Sequence, residues 1–308
     1  MTGAAVDPVI APPVMAGLSM LQIQGSTIDP YNEGMRLAVL LAVSAGLLWP
    51  ANAPDARDII RKCVDQDQSD WMRMKDYTWT AQETTRHLDS SGNIKGTDSE
   101  RWETVILYGK PYRKTLARDG TPLSAAEQQK EQQKIDHAVS QLERESPRQR
   151  AARLARDEKE RAKDREFLKE MPDAFHFRIE GQEKIDGRDT WVLSATPNLD
   201  YQPKRSEAKA FQKIAGRIWI DQQEFQWVRI EAKTTGVISW GWFLARLNPG
   251  ATLEFEQERI NDEIWLPRRE FTSGSGRLGL LKKLREQDEV TWSNYRKFQV
   301  ESTLVPTR

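Results

Sequence analysis

Cysteine, histidine and net charge are what this chain lacks. A single cysteine, Cys63, excludes a disulfide framework within the chain and any multi-cysteine metal site. It recurs with Ile59, Ile60 and Val64 at helical spacing and reads as a small buried hydrophobe rather than a reactive thiol. The three histidines, His87, His137 and His176, stand apart, with no HExxH and no second histidine at ligand spacing, so no metal centre and no cofactor are expected. With 46 basic and 46 acidic side chains, no large field is available to hold a polyanion, and nucleic acid is not an expected partner. No apolar run is long enough to span a bilayer as a helix.

What the chain does have is tryptophan, 11 residues in a sequence that is 30% charged with a mean hydropathy of -0.71. Its apolar surface is therefore carried by aromatics on strands more than by long aliphatic helices. The stretch Gly216 to Phe271 organises the rest. Ile218 and Ile220 share one parity, Val228, Ile230 and Ala232 another, and Arg217, Asp221, Arg229 and Glu231 fall between them. Leu253 and Phe255 then alternate with Glu254, Glu256 and Glu258, and Asn261-Asp262-Glu263 turns the chain into Ile264, Trp265 and Leu266. Such strands form an antiparallel sheet with one wet face, whose apolar face must be covered by helices or by a bound apolar ligand.

Other segments attach to that sheet. A helix is expected from Asp55, with Asp55 and Asp58 at its positive end, lying on the sheet. Tyr77 to His87 and a strand ending at Val105, Ile106 and Leu107 form a hairpin about the Asp89 to Asn93 turn. Phe175 to Gln182 and Trp191 to Ala195 form another about Asp186-Gly187. The segment 124–170 is dense in Gln, Glu, Lys and Arg; Ser124 and Glu127 are spaced as a capping box, Pro147 interrupts it, and the remainder reads as a solvated helical insertion. Residues 198–213 read as a long loop, and Val237 to Leu247 as a core strand or one bordering a cavity.

Met35-Arg36, the apolar run Leu37 to Leu48 and Ala51-Asn52-Ala53 have the form of a signal peptide over 35–53. Residues 1–34 carry no Lys or Arg and are expected to be a non-native extension, leaving 54–308 as a single domain. Pro54 suits a cleavage subsite poorly, so an uncleaved anchor is the alternative. Gly274, Gly276 and Gly279 satisfy GxGxxG, but in an all-strand setting without the βαβ unit a dinucleotide site needs. Ser273 stands where GxSxG requires a glycine. No catalytic residue is expected.

Assembled, these pieces resemble the LolA-like, outer-membrane lipoprotein-sorting proteins. The resemblance is carried by Gly216-Arg217-Ile218-Trp219-Ile220-Asp221, Trp227-Val228-Arg229-Ile230-Glu231 and Asn261-Asp262-Glu263-Ile264-Trp265-Leu266-Pro267, and extends from Asp55 to Thr303. It implies a mainly β, α+β fold: an antiparallel half-barrel sheet covered by helices. It also implies a monomeric periplasmic carrier whose concave face holds the acyl chains of lipoproteins or other lipids, with an envelope membrane protein as donor or acceptor. Related half-barrels serve as stress sensors, so a regulatory lipid or lipoprotein sensor is the alternative, and an uncharacterised hydrolase the third. Ile218, Ile220, Val228, Ile230, Leu253 and Phe255, opposite the charges, are the candidate cavity lining; the plainer reading is that they pack the covering helix.

Amino-terminal peptide mapping of exported protein should place the first residue at Pro54 or Asp55. Peptides from Met1 to Gly34 would contradict a start at Met35, and an intact Leu37 to Leu48 would indicate an anchor.

Overall fold

The computed structural model describes residues 54–240, 245–278 and 282–298. The signal peptide and the preceding extension expected from the sequence lie outside them. The chain begins with helix α1 (Ala56–Arg73), capped by Asp55, whose carboxylate accepts the amides of Arg57 and Asp58. There follow β1 (Tyr77–Leu88), β2 (Ile94–Leu107), β3 (Lys110–Arg118) and the short β4 (Thr121–Pro122). The insertion holds α2 (Ala125–Glu143), α3 (Pro147–Asp164) and the four-residue α4 (Met171–Ala174). Strands β5 (Phe175–Ile185), β6 (Arg188–Pro197), β7 (Ile214–Asp221) and β8 (Trp227–Thr234) come next. They lead into β9 (Ile238–Trp240), β10 (Ala245–Leu247), β11 (Thr252–Ile260), β12 (Ile264–Leu278) and β13 (Lys282–Lys297).

All strands join one open antiparallel sheet in the order β4-β3-β2-β1-β13-β12-β11-β8-β7-β6-β5, with β10 on the far part of β12 and β9 on β10. The fold is thus α+β, an unclosed half-barrel with helices on its concave face, as expected from the sequence. The tight turns use the residues that tolerate a left-handed backbone: Asp186-Gly187 (φ 47° and 82°) and Asn261-Asp262 (φ 52° and 54°).

Helix α1 covers the concave face. Ile59, Ile60, Cys63 and Val64 bury against Leu193, Ile218, Ile220, Trp227 and Phe255, and two turns beyond, Trp71 joins a second cluster with Tyr77, Trp79, Trp102 and Trp292. Two buried acids fix the helix. Asp70 Oδ2 accepts the Trp265 amide at 3.1 Å, and Asp67 pairs with Arg165, whose guanidinium stacks over Trp71 at 4.4 Å. Breaking a buried pair leaves an uncompensated charge, so this contact fixes position more than it adds stability.

The insertion ends earlier than its composition indicates. Ser124 and Ser146 each complete a capping box, and Pro147 opens α3 rather than merely breaking a helix. Most of α2 and α3 is solvated, although Arg153 is buried, donating to Glu145 at 2.8 Å and to the Tyr108 carbonyl at 3.1 Å. From residue 167 onward the segment is core: Phe167, Leu168, Met171 and Ala174 join the cluster beneath α1. The expected loop over 198–213 likewise contains a 3-10 helix, Glu207–Lys213, which buries Ala208 and Phe211 in that cluster. Its small side chains allow a close approach that an amphipathic pattern does not signal.

Excising Ala125–Lys163 behind a flexible linker should therefore leave a cooperatively unfolding sheet. Leu168→Ala should lower stability in urea by about 2–5 kcal/mol, the cost of truncating a buried leucine.

Candidate ligand-binding cleft

Cross-strand register sets the composition of the concave face. One line of paired residues runs Ile179, Leu193, Ile218, Ile230, Phe255, Glu270, Val290, Glu83, Glu100 and Arg118, crossing every strand from β5 to β3. The next line runs Phe177, Ala195, Gly216, Ala232, Leu253, Thr272, Asp288, Thr85 and Asp98. Both start apolar and turn acidic at the same seam, between β11 and β13.

The second line is made of small residues over β6 to β8, which lowers the floor there. Gly216 is required, because a Cβ on it would stand 2.1 Å from the Glu231 carbonyl oxygen and 2.9 Å from the Ala232 Cα. Above this floor lies a cleft of about 120 Å³. By the measure on which one water needs about 10–15 Å³, it has room for a run of methylenes. Leu168, Met171, Phe175 and Phe211 roof it, Ile218, Trp227, Ile230 and Leu253 wall it, and Glu286 and Asp288 lie at its β13 side.

Of the six residues picked out by alternation, Ile218, Ile230 and Leu253 reach this cleft. Ile220 and Phe255 are fully buried beneath α1 and outside its lining, in the packing role that was the plainer alternative. Val228 is neither. The register steps from Trp219 opposite Arg229 to Ile220 opposite Trp227, leaving Val228 as the extra residue of a β-bulge. A bulge shifts side-chain parity by one, so Trp227 takes the concave place that simple alternation assigns to Val228. Trp227, Ala195, Gly216 and the roof residues are lining that the periodicity argument missed; the run of small residues was the available signal.

The acidic half is unusual for where its charges sit. On the convex face every strand acid near the seam has a cation: Arg269 reaches Glu254 at 3.0 Å and Glu289 at 2.8 Å, and Arg86 reaches Glu289 at 3.2 Å. On the concave face Arg113 bridges Glu100 at 2.6 Å and Glu83 at 3.5 Å, and His87 lies 2.8 Å from both Asp98 and Glu286. Asp288 accepts only the Thr85 hydroxyl, at 2.6 Å. Glu270, 5% exposed, has no hydrogen-bond partner among the described residues. Burial pushes the Glu270 carboxyl well above the usual range, and the neighbouring charges of Asp288 and Glu83 push it further. Burial raises Asp288 and Glu83 as well, against the Thr85 hydroxyl and the His87 charge in one case and Arg113 in the other. No group of three or more His, Cys, Asp or Glu among the described residues is arranged to hold a metal ion.

The sequence matches no protein-family model and no curated protein. Among solved structures the fold is similar to a LolA superfamily protein from Nitrosomonas europaea, at 14% identity and TM-score 0.31, over 83% of this chain and 99% of that one. It is also similar to a domain from Vibrio parahaemolyticus, provisionally described as an outer membrane lipoprotein-sorting protein, at 11% identity and TM-score 0.31, over 80% and 95%. The complex of MucA and MucB from Pseudomonas aeruginosa matches at 10% identity and TM-score 0.23, over 80% and 99%.

A buried acid with a raised pKa binds its proton more tightly in the folded than in the unfolded chain. Stability is therefore lost as pH rises from the ordinary glutamate range toward the raised value. Glu270→Gln should leave stability near pH 4 almost unchanged and raise it at pH 8, by on the order of 1 kcal/mol, or about 2–4 °C in Tm. A Tm that falls at pH 8 would mean that the carboxylate has a cationic partner.

Proposed function

We propose that this protein is a periplasmic binding protein for acylated amphiphiles, holding a chain in the cleft between β6 to β11 and the 167–174 segment. The observation that carries the reading is the apolar cleft itself, kept open by Ala195, Gly216 and Ala232 on a face that α1 otherwise seals. Each methylene moved from water into such a cleft contributes about 0.8 kcal/mol, so one chain binds usefully without any catalytic group. The open half-barrel leaves the entrance unobstructed by a closing strand. Release of the bound lipid to an envelope acceptor is the carrier's second requirement, and lipoproteins are one class of cargo with the right chains.

The cleft can be filled without disturbing the core. Ala232→Trp should weaken binding of the neutral, environment-sensitive dye N-phenylnaphthylamine at least about ten-fold while keeping cooperative unfolding, because the ring occupies ligand space. Ile220→Glu should instead unfold the protein, since Ile220 packs under α1. Leu199→Ala, on the exposed surface, is the control and should change neither. Delipidated wild-type protein that binds no such probe would overturn the reading.

A further inference from the structure

We propose that the ligand's head group is cationic: an ammonium-bearing amphiphile whose chain lies in the apolar cleft and whose charge is received by Glu270 and Asp288. This rests on the cleft being a chain-binding site. It goes further by assigning the chemistry of the other end.

The argument is one of unmatched charge. Six acids face the concave side on and beyond the seam: Glu270, Asp288, Glu286, Glu83, Glu100 and Asp98. Among the described residues, three cationic or titratable bases face them, Arg113, Arg118 and His87. Arg113 serves Glu83 and Glu100, Arg118 lies 3.6 Å from Glu100, and His87 serves Glu286 and Asp98. Glu270 is left with no cation among the described residues, and Asp288 has near it only His87, which already serves Glu286 and Asp98. A carboxylate removed from water without a cation or a full set of donors is costly, which is why such groups are rare in cores that exist only to be stable. Here Glu270 and Asp288 are not remote from the cleft. Asp288 lines it, Glu270 is its neighbour across the register from Phe255, and Leu253, which walls the cleft, is paired with Thr272, which pairs in turn with Asp288.

The geometry selects among head groups. A fatty-acid carboxylate or a phosphate at this end would meet like charge. A neutral ester or alcohol would leave the acids as they are. A primary ammonium brings a positive charge and three N–H donors to a recess whose buried carboxylate Glu270 has no donor of its own, and charge-assisted hydrogen bonds there are about twice as strong as neutral ones.

Protonation gives a second, independent signature. In the empty protein burial favours the protonated form of Glu270, whereas an ammonium favours the carboxylate, so binding must expel protons. The groups facing Glu270 are Asp288 and Glu286 on β13, Glu83 and His87 on β1, Glu100 and Asp98 on β2, and Arg113 and Arg118 on β3. Because an alkylammonium stays charged below about pH 10, its affinity should rise with pH across the range in which Glu270 ionises.

The test uses three ligands with the same chain, dodecylammonium, dodecanol and laurate, each displacing the neutral dye N-phenylnaphthylamine from delipidated wild-type protein, Glu270→Gln and Asp288→Asn. Wild type should prefer dodecylammonium over dodecanol by about ten-fold or more and bind laurate most weakly. The preference for amine over dodecanol should shrink to within about two-fold in both variants, and their cooperative thermal unfolding shows that they are folded. Calorimetry in buffers of different ionisation enthalpy should show proton release with the amine and none with dodecanol. Equal binding of amine and alcohol by wild type, or a preference for laurate, overturns the head-group assignment while leaving the chain-binding cleft intact. Failure of all three ligands and the dye to bind overturns the cleft reading, and this inference with it.

Discussion

The molecule depends on one short helix covering one side of a very wide sheet. Helix α1 buries four consecutive-turn residues, Ile59, Ile60, Cys63 and Val64, against strands β6 to β11, and a fifth, Trp71, against the β1 and β13 side. A sheet this wide has more concave surface than eighteen residues of helix can cover. The remainder is covered by pieces that are barely helical, the 167–174 segment and the 3-10 turn at 207–213. The cleft opens where these partial covers meet a floor of Ala and Gly. Cover and cavity are consequences of the same shortage.

The pinning of α1 therefore matters beyond its own stability. Asp67 reaches Arg165 at the end of α3, and Trp71 Nε1 donates to the Arg161 carbonyl at 2.8 Å, so the solvated insertion is tied to the helix that seals the core. Lys75 adds an exposed contact to Glu158 at 3.0 Å, of small energetic weight. The roof residues Leu168 and Met171 follow directly after this junction. A displacement of α3 would be transmitted to the roof through a few residues, and the insertion can bear on the cleft without lining it.

Much of this was legible in the sequence and some was not, for identifiable reasons. The hairpins about Asp186-Gly187 and Asn261-Asp262 declare themselves through residues that accept a left-handed backbone, and the apolar set on β7 and β11 follows from period-two alternation. Alternation fails where one residue is inserted, so the bulge at Val228 exchanges it with Trp227. It fails again on β12, where the rule that acids face water is inverted. Phe271 sits on the convex face under the Arg269 guanidinium, 5.4 Å from its ring centre, while Glu270 turns inward. An arginine can cover an outward aromatic as water-facing packing, and no pattern of hydrophobicity records that substitution. The composition of 124–170 hid a boundary for a similar reason: charge density averages over Phe167 and Leu168, which belong to the core.

The order of strands has a consequence for how the molecule comes into being. β1 and β13 are central neighbours, with Thr78 beside Arg296, 218 residues apart in sequence. Before the last strand emerges, the β1 to β4 meander has no partner on its inner edge, and its tryptophans Trp79 and Trp102 have no Trp292 to close against. The sheet is completed from both ends of the chain at once, so a ribosome or translocation pore holding the C-terminal segment keeps the two halves apart. Such a high-contact-order closure is slow, and the open β1 edge is a template for another chain in the meantime. The period of greatest exposure to chaperones and proteases is thus the interval between the arrival of β12 and the release of β13.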